Sequence, residues 1–285
     1  MPNIIDGKAH AIALKKELAE ETATLLASTG VVPHLAVLIV GEDPASEVYV
    51  RNKHRACEEV GFKSTIIRLP STIAETDLLA TIEELNFDST VHGILVQLPL
   101  PKHLNEDNII KAIHPIKDVD AFHPYNVGRV VQGKYTFLPC TPAGIMEMLA
   151  RENIEIAGKE CVVVGRSNIV GKPIAQLLMQ ANGTVTSCHS YTKNLAEVCR
   201  RADVLVCAIG KAKFITRDYI KPGAVVIDVG INRTADGKLC GDVDFEAVKD
   251  LAGFITPVPG GCGPMTVAML MANTLKAAKL QMQSK

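Results

Sequence analysis

The sequence predicts an α/β protein, and three observations carry that expectation. Apolar residues switch repeatedly between helical spacing and short continuous runs, the rhythm of a parallel sheet with crossover helices. The chain has 285 residues, enough for two domains with ordinary cores. Hydrophobic residues make up 47% and charged residues 21%, so burial can offset ordering entropy and a disordered chain is excluded.

Each element follows from local signals. Asp6 can cap a helix running to about Ala27, with Ala11, Leu14, Leu18 and Leu25 on one face and Gly30 beyond its end. Leu35 to Val40 reads as a strand, Pro44 to Val60 as a helix stopped by Gly61, and Thr65 to Leu69 as the next strand. A helix from about Ala74 to Asn86, a strand from Gly93 to Gln97 and a helix from about Glu106 to Ala112 continue the alternation. Tyr135 to Pro142 reads as a connector, because Pro139 and Pro142 cannot both lie inside one helix. The expected boundary falls there, giving domains 1–139 and 140–263, with the last helix, 264–285, completing the first.

Thr141-Pro142 suits the start of a helix to about Glu152. A second alternation follows: strand 160–164, helix 172–181, strand 184–188, helix 195–200, and strands 204–208 and 224–228. The final helix, from about Pro264 to Lys279, comes after a loop at Thr256 to Gly263.

Composition narrows the function classes. Thirty Lys and Arg against 31 Asp and Glu leave a net charge of −1, without long runs of one sign, so nothing calls for nucleic acid. The longest apolar runs, such as Leu35 to Val40, reach six residues, far below the ~18 needed to span a bilayer. The N-terminus does not read as a secretion signal, so a cytoplasmic setting is expected. Eight cysteines without a C-x-x-C pair read as reduced core residues, and eight scattered histidines give no reason to expect a metal.

Two regions carry chemistry. Val162-Val163-Val164 is a buried strand, Gly165-Arg166-Ser167 a turn, and Gly171-Lys172-Pro173 a helix start, an order in which a pyrophosphate can sit above the strand. The spacing G-x-S-x-x-x-G is weak alone; Gly210 and Gly230 just beyond later strands strengthen it. An NAD site usually has an acid about 20 residues on. Here none occurs between Glu160 and Glu197. The second strand ends instead in His189-Ser190-Tyr191-Thr192-Lys193, donors that with Arg166 suit a 2′-phosphate, so NADP is the expected cofactor.

In the first half, Tyr49 and Lys53 lie four apart on a predicted helix and share a face. Short-chain dehydrogenases carry such a pair after their nucleotide fingerprint, whereas here it precedes the glycine turn by more than a hundred residues. Gln97 ends a buried strand before Leu98-Pro-Leu-Pro101; Lys117-Asp-Val-Asp-Ala-Phe-His-Pro124 sets two carboxylates in a loop; and Thr256-Pro-Val-Pro-Gly-Gly-Cys-Gly-Pro-Met265 is a rigid loop before the last helix.

Taken together, these segments, from Ile-Ile-Asp-Gly-Lys at Ile4 onward, resemble the bifunctional methylenetetrahydrofolate dehydrogenase and methenyltetrahydrofolate cyclohydrolase family over essentially the whole chain. The resemblance implies two α/β domains flanking a cleft, the second Rossmann-like and holding NADP, the first holding folate. It implies that Tyr49, Lys53, Gln97 and Asp120 are the catalytic and folate-site residues, with Val96 and Leu98 beside Gln97 and with Pro257 and Gly261 near the reacting centre. It places Gly165, Arg166, Ser167 and Ile231 on the cofactor, with Ser190 in the phosphate cluster, and it implies a homodimer without metal. Ala121 stands where the family usually has Gly, and Cys262 where it usually has Val. The implied reaction oxidises 5,10-methylenetetrahydrofolate to 5,10-methenyltetrahydrofolate and hydrolyses that to 10-formyltetrahydrofolate. A non-catalytic NADP-binding regulator would lack a proton-transfer residue, and Lys53 is present; a monofunctional dehydrogenase would not speed methenyltetrahydrofolate hydrolysis.

Overall fold

A computed structural model describes residues 3–234 and 236–283; residues 1–2 of the expected first domain, 284–285 of the expected last helix and residue 235 lie outside the described residues. The chain divides into two compact units, the first formed by residues 12–140 with those from 267 onward, the second by residues up to 11 with 141–266. Residues 3–11 therefore go with the second unit, whereas the sequence groups them with 12–139. The reason is a short strand that joins the other sheet.

That strand is β1 (Asn3–Ile4), and α1 (Gly7–Thr29) follows it. Asp6 caps α1, its Oδ1 accepting the Ala9 N–H at 2.9 Å, and Gly30 at φ +71° ends it. Ala11, Leu14, Leu18 and Leu25 form the buried face, as their spacing requires.

The first unit continues with β2 (His34–Val40), α2 (Pro44–Glu59), β3 (Lys63–Leu69), α3 (Glu75–Phe87), β4 (Gly93–Val96) and α4 (Glu106–Ala112), each within two residues of its expected bounds. Among the described residues its sheet has three parallel strands in the order β3-β2-β4. β2 is buried along its whole length, which is why its sequence is a continuous apolar run. Ala36, Leu38, Leu78, Ile82, Ile94 and Ile109 build the core, each large side chain contributing about 1.5–3 kcal/mol. Asp43 starts α2 by accepting the Ser46 N–H at 2.8 Å, with Pro44 in the first turn. A helix absent from the expectation, α5 (Pro124–Val131), begins where His123 Nδ1 accepts the Tyr125 N–H at 3.0 Å.

After α6 (Cys140–Arg151) come β5 (Glu160–Val164), α7 (Gly171–Gln180), β6 (Thr184–Cys188), α8 (Leu195–Cys199), β7 (Val204–Cys207) and β8 (Val225–Asp228). The hairpin β9 (Asn232–Arg233) with β10 (Leu239–Cys240), then α9 (Phe245–Val248), β11 (Phe254–Ile255) and α10 (Cys262–Gln283) complete the chain. Among the described residues the second unit's sheet has six parallel strands in the order β1-β11-β8-β7-β5-β6. Strands β1, β9, β10 and β11 are two residues each, too short for an apolar period to mark them. α10 starts two residues before Pro264, taking the end of the expected loop into its first turn. All eight cysteines are buried and free, matching their reading as core residues.

Candidate active site

In the first unit, α2 places Lys53 one turn after Tyr49, and β4 delivers Gln97 at its C-terminal edge. Lys53 Nζ donates to Gln97 Oε1 at 2.9 Å. Gln97 Nε2 donates to the Leu98 carbonyl at 2.6 Å, which turns the amide oxygen toward the lysine. The Gln97 backbone N–H is tied to Leu38 O at 2.9 Å, so the side chain hangs from a fixed strand end. Lys53 is only 9% exposed, and burial pushes its amine below the ordinary lysine range; the nearby Asp120 and Cys140 oppose that shift without reversing it. Tyr49 is half-buried. Val96 is buried at the end of β4, and Leu98 and Pro99, joined by a cis peptide bond, follow it.

The two carboxylates of the Lys117 to Pro124 loop separate into different tasks. Asp118 is buried and accepts the Phe122 N–H at 3.2 Å, the His123 N–H at 2.8 Å and Asn126 Nδ2 at 2.7 Å. Burial pushes its carboxyl above the usual range, against these donors. Lys117 donates to Leu85 O at 2.8 Å and Asp88 O at 2.7 Å, closing the end of α3. Asp120 stays half-buried, close to Lys53 and to the Cys140 thiol, whose pKa burial and Asp120 drive well up. Ala121 takes φ +58°, the left-handed region that glycine adopts most readily. Asn273 of α10 holds this loop, donating to Val119 O at 2.8 Å and Leu138 O at 2.9 Å.

In the second unit, Gly165 takes φ +128° at the end of β5, and a Cβ there would collide with the Ala208 carbonyl oxygen. A Cβ on Gly171 would likewise strike the Gly165 carbonyl oxygen. These two glycines bring the turn flat onto the strand end and the start of α7 against it. Ser167 Oγ accepts the Val170 and Gly171 N–H groups, each at 3.2 Å. Those two amides are therefore spent within the turn. The Arg166 guanidinium lies 5.8 Å from the centre of the Tyr191 ring, which is 80% exposed. Ser190 and Lys193 are exposed in the same loop as Tyr191. An exposed arginine held over an aromatic face, with hydroxyl and ammonium donors beside it, fits a 2′-phosphate, and the glycine turn fits a pyrophosphate.

Ile231 follows β8 and is exposed. Pro257 and Gly261 belong to one tight loop: a Cβ on Gly261 would come within 2.7 Å of the Pro257 carbonyl oxygen. Val258 and Pro259 are joined by a cis bond. Beside this loop lies a cavity of about 270 Å³ lined by Asp228, Gly241, Val243 and Pro257 among others.

A larger cavity, about 670 Å³, is elsewhere in the first unit, with His34, Lys63, His92 and Lys117 in its wall. It lies at the N-terminal ends of β2 and β3, whereas Gln97 follows the C-terminal end of β4. Its buried polar groups serve the protein itself: His34 bonds Thr90 O and Thr65 Oγ1, and Lys117 bonds two carbonyls. Among the described residues no group of three His, Cys, Asp or Glu could hold a metal ion.

Sequence reasoning missed Asn273, Asp228 and Asp242. The available signals were a lone Asn inside the apolar run of α10, an acid ending the apolar β8 strand, and the pair in Gly241-Asp242-Val243-Asp244.

Residues 5–120 match the family described as tetrahydrofolate dehydrogenase/cyclohydrolase, catalytic domain, and residues 139–282 its NAD(P)-binding domain. The chain is 60% identical over 279 residues to the bifunctional protein FolD of Agathobacter rectalis, covering 98% of this chain and 100% of that one. It is 59% identical to the bifunctional protein FolD of Streptococcus pneumoniae serotype 4, covering 98% of each. Among solved structures, the bifunctional enzyme FolD of Campylobacter jejuni is 49% identical with a TM-score of 0.96, covering 98% of this chain and 99% of that one. The methylenetetrahydrofolate dehydrogenase-cyclohydrolase of Trypanosoma brucei, solved with NADP and an inhibitor, is 39% identical with a TM-score of 0.96 and 99% coverage of each.

Proposed function

The chain belongs to the tetrahydrofolate dehydrogenase/cyclohydrolase family, and from that premise we propose that Lys53, held by Gln97, is the proton-transfer residue of its chemistry. The enzyme is bifunctional: it oxidises 5,10-methylenetetrahydrofolate to 5,10-methenyltetrahydrofolate with NADP, then hydrolyses the product to 10-formyltetrahydrofolate. The observation that carries the role of Lys53 is its buried amine 2.9 Å from an amide oxygen, with burial favouring the neutral form.

The methenyl group is a cation, so an ammonium beside it would raise the barrier to its formation, while a neutral amine would not. In hydrolysis, Lys53 takes a proton from the attacking water as the new C–O bond forms. It returns a proton to the folate nitrogen released when the ring C–N bond breaks, and the adduct's remaining hydroxyl proton passes to solvent as the formyl C=O forms. The Gln97 oxygen orients the amine in either state, because it only accepts. Asp120 offers two acceptor oxygens to the neighbouring ring N–H and amino group of the pterin, and Tyr49 an aromatic face to the aminobenzoate. Val96 and Leu98 complete the first unit's substrate contacts in this reading. Folate is assigned to the first unit. NADP is assigned to the second, through Gly165, Arg166, Ser167, Ser190 and Ile231, and supplies the hydride acceptor when bound. The same reading takes the enzyme as a cytoplasmic homodimer, on family resemblance; among the described residues no helix is long and apolar enough to cross a membrane.

Lys53→Met keeps the stem and removes the nitrogen. The folded variant is expected to lose about 10²–10⁴ in cyclohydrolase rate while keeping a measurable dehydrogenase, which needs alignment more than a proton acceptor. Because the lysine pKa is lowered and the neutral form is the base, wild-type cyclohydrolase should rise with pH through that pKa and then level, after correction for spontaneous hydrolysis. The variant should lack this limb. Cyclohydrolase activity within about twofold of wild type would remove Lys53 from the mechanism.

A further inference from the structure

Two buried carboxylates in the second unit face each other across two glycines. Asp242 is 0% exposed. Its Oδ2 accepts the Ile209 N–H at 2.7 Å and the Gly210 N–H at 3.1 Å; its Oδ1 accepts the Lys211 N–H at 2.8 Å and Asn232 Nδ2 at 2.9 Å. Four donors fill the acceptor sites of one carboxylate. Asp228 Oδ1 accepts the Gly230 N–H at 3.0 Å and the Asp242 N–H at 2.9 Å, and Oδ2 the Val243 N–H at 2.9 Å. A Cβ on Gly230 would overlap the Asp242 carboxylate, and one on Gly241 the Asp228 carboxylate. Each glycine thus admits the opposite acid.

The segments so fastened are residues 209–211 after β7 and 230–232 after β8. Both lie at the C-terminal edge of the parallel sheet, where folds of this kind bind their ligands. The strand order β8-β7-β5-β6 sets these loops on the far side of β5 from β6. The glycine turn after β5 takes the pyrophosphate and the loop after β6 the adenosine end, so β7 and β8 are left to the nicotinamide riboside.

We propose that Asp242 is a positioning residue for the nicotinamide half of NADP: it touches no cofactor atom but fixes the two loops that receive that half. The proposal rests on the assignment of the 2′-phosphate end to Arg166 and Ser190. Asp242→Asn removes the charge and turns an NH₂ toward two of the four donors, so the loops lose their shared anchor.

The test compares NADP with 2′,5′-ADP, which carries the adenosine with its 2′- and 5′-phosphates but lacks the nicotinamide half, by calorimetric titration of the full-length enzyme. Asp242→Asn is expected to weaken NADP by about tenfold or more while leaving 2′,5′-ADP within about twofold. Asn232→Ala, which deletes one donor and leaves the carboxylate, should move NADP in the same direction by a smaller factor and decides the matter if Asp242→Asn does not fold. Unchanged NADP affinity in the folded variants, or an equal loss for both ligands, overturns the proposal. A wild-type enzyme that binds NADP but not 2′,5′-ADP instead overturns the assignment of the phosphate end, and the NADP affinities of the two variants still judge Asp242.

Discussion

The two candidate sites are built on opposite plans. In the first unit the chemistry rests on side chains drawn out of water: Lys53 is buried against Gln97 and its charge is disfavoured by that burial. In the second unit the ligand-facing side chains, Arg166, Ser190 and Tyr191, stay exposed, and the buried parts are glycines and carboxylates that shape the backbone. Burial suits a group that must change protonation state, because desolvation moves a pKa by more than any surface contact does. Exposure suits a group that must meet a phosphate already charged, since a guanidinium remains charged in either setting.

That contrast can be tested from its strongest side to its weakest. Asp120→Asn should cost the most, weakening folate by about a hundredfold through the loss of a charged two-point acceptor, with NADP nearly unchanged. Titration of each ligand separates the two; unaltered folate affinity would place Asp120 outside the site. Arg166→Ala should weaken NADP by roughly tenfold and leave NAD within about twofold, because only NADP carries the 2′-phosphate. In the wild type this preference should shrink with added salt, as expected of an exposed charge pair. An equal loss for both cofactors, or a preference indifferent to salt, would break the contrast.

The smallest effect concerns Ala121 beside Asp120. Ala121→Gly relieves a left-handed backbone, but it also removes a buried methyl and frees the unfolded chain. These effects nearly cancel, so stability by urea denaturation should stay within about 1 kcal/mol. A loss above about 2 kcal/mol would show that the methyl, and not the strain, dominates the loop.

How far these features could be read from sequence follows the same division. The Tyr49 and Lys53 pair, Gln97 at a strand end and the Asp6 cap are visible because helix period, strand end and cap residue are local signals. Gly165 and Gly171 are visible as a strand, turn and helix start. Asp242 is not, because its donors at 209–211 lie some thirty positions upstream and no local spacing links them. Asn273 is hidden for the same reason, its acceptors at Val119 and Leu138 belonging to distant segments. The strands β1 and β11 fail differently: two residues contain no period, and only pairing with a neighbour defines them.

The pairing of β1 with β11 also bears on how the chain is made. Asn3 and Ile4 leave the ribosome ~250 residues ahead of their partners Phe254 and Ile255. Synthesis proceeds at about 5–20 residues per second, so the opening segment waits on the order of ten seconds or more before its place in the sheet exists. The six-stranded sheet therefore reaches its full width only once residues 254 and 255 have been made, however early β5, β6 and β7 assemble. A nascent chain halted before residue 254 exposes the free edge of β8, a strand without its neighbour and a point at which chaperones or aggregation compete with folding.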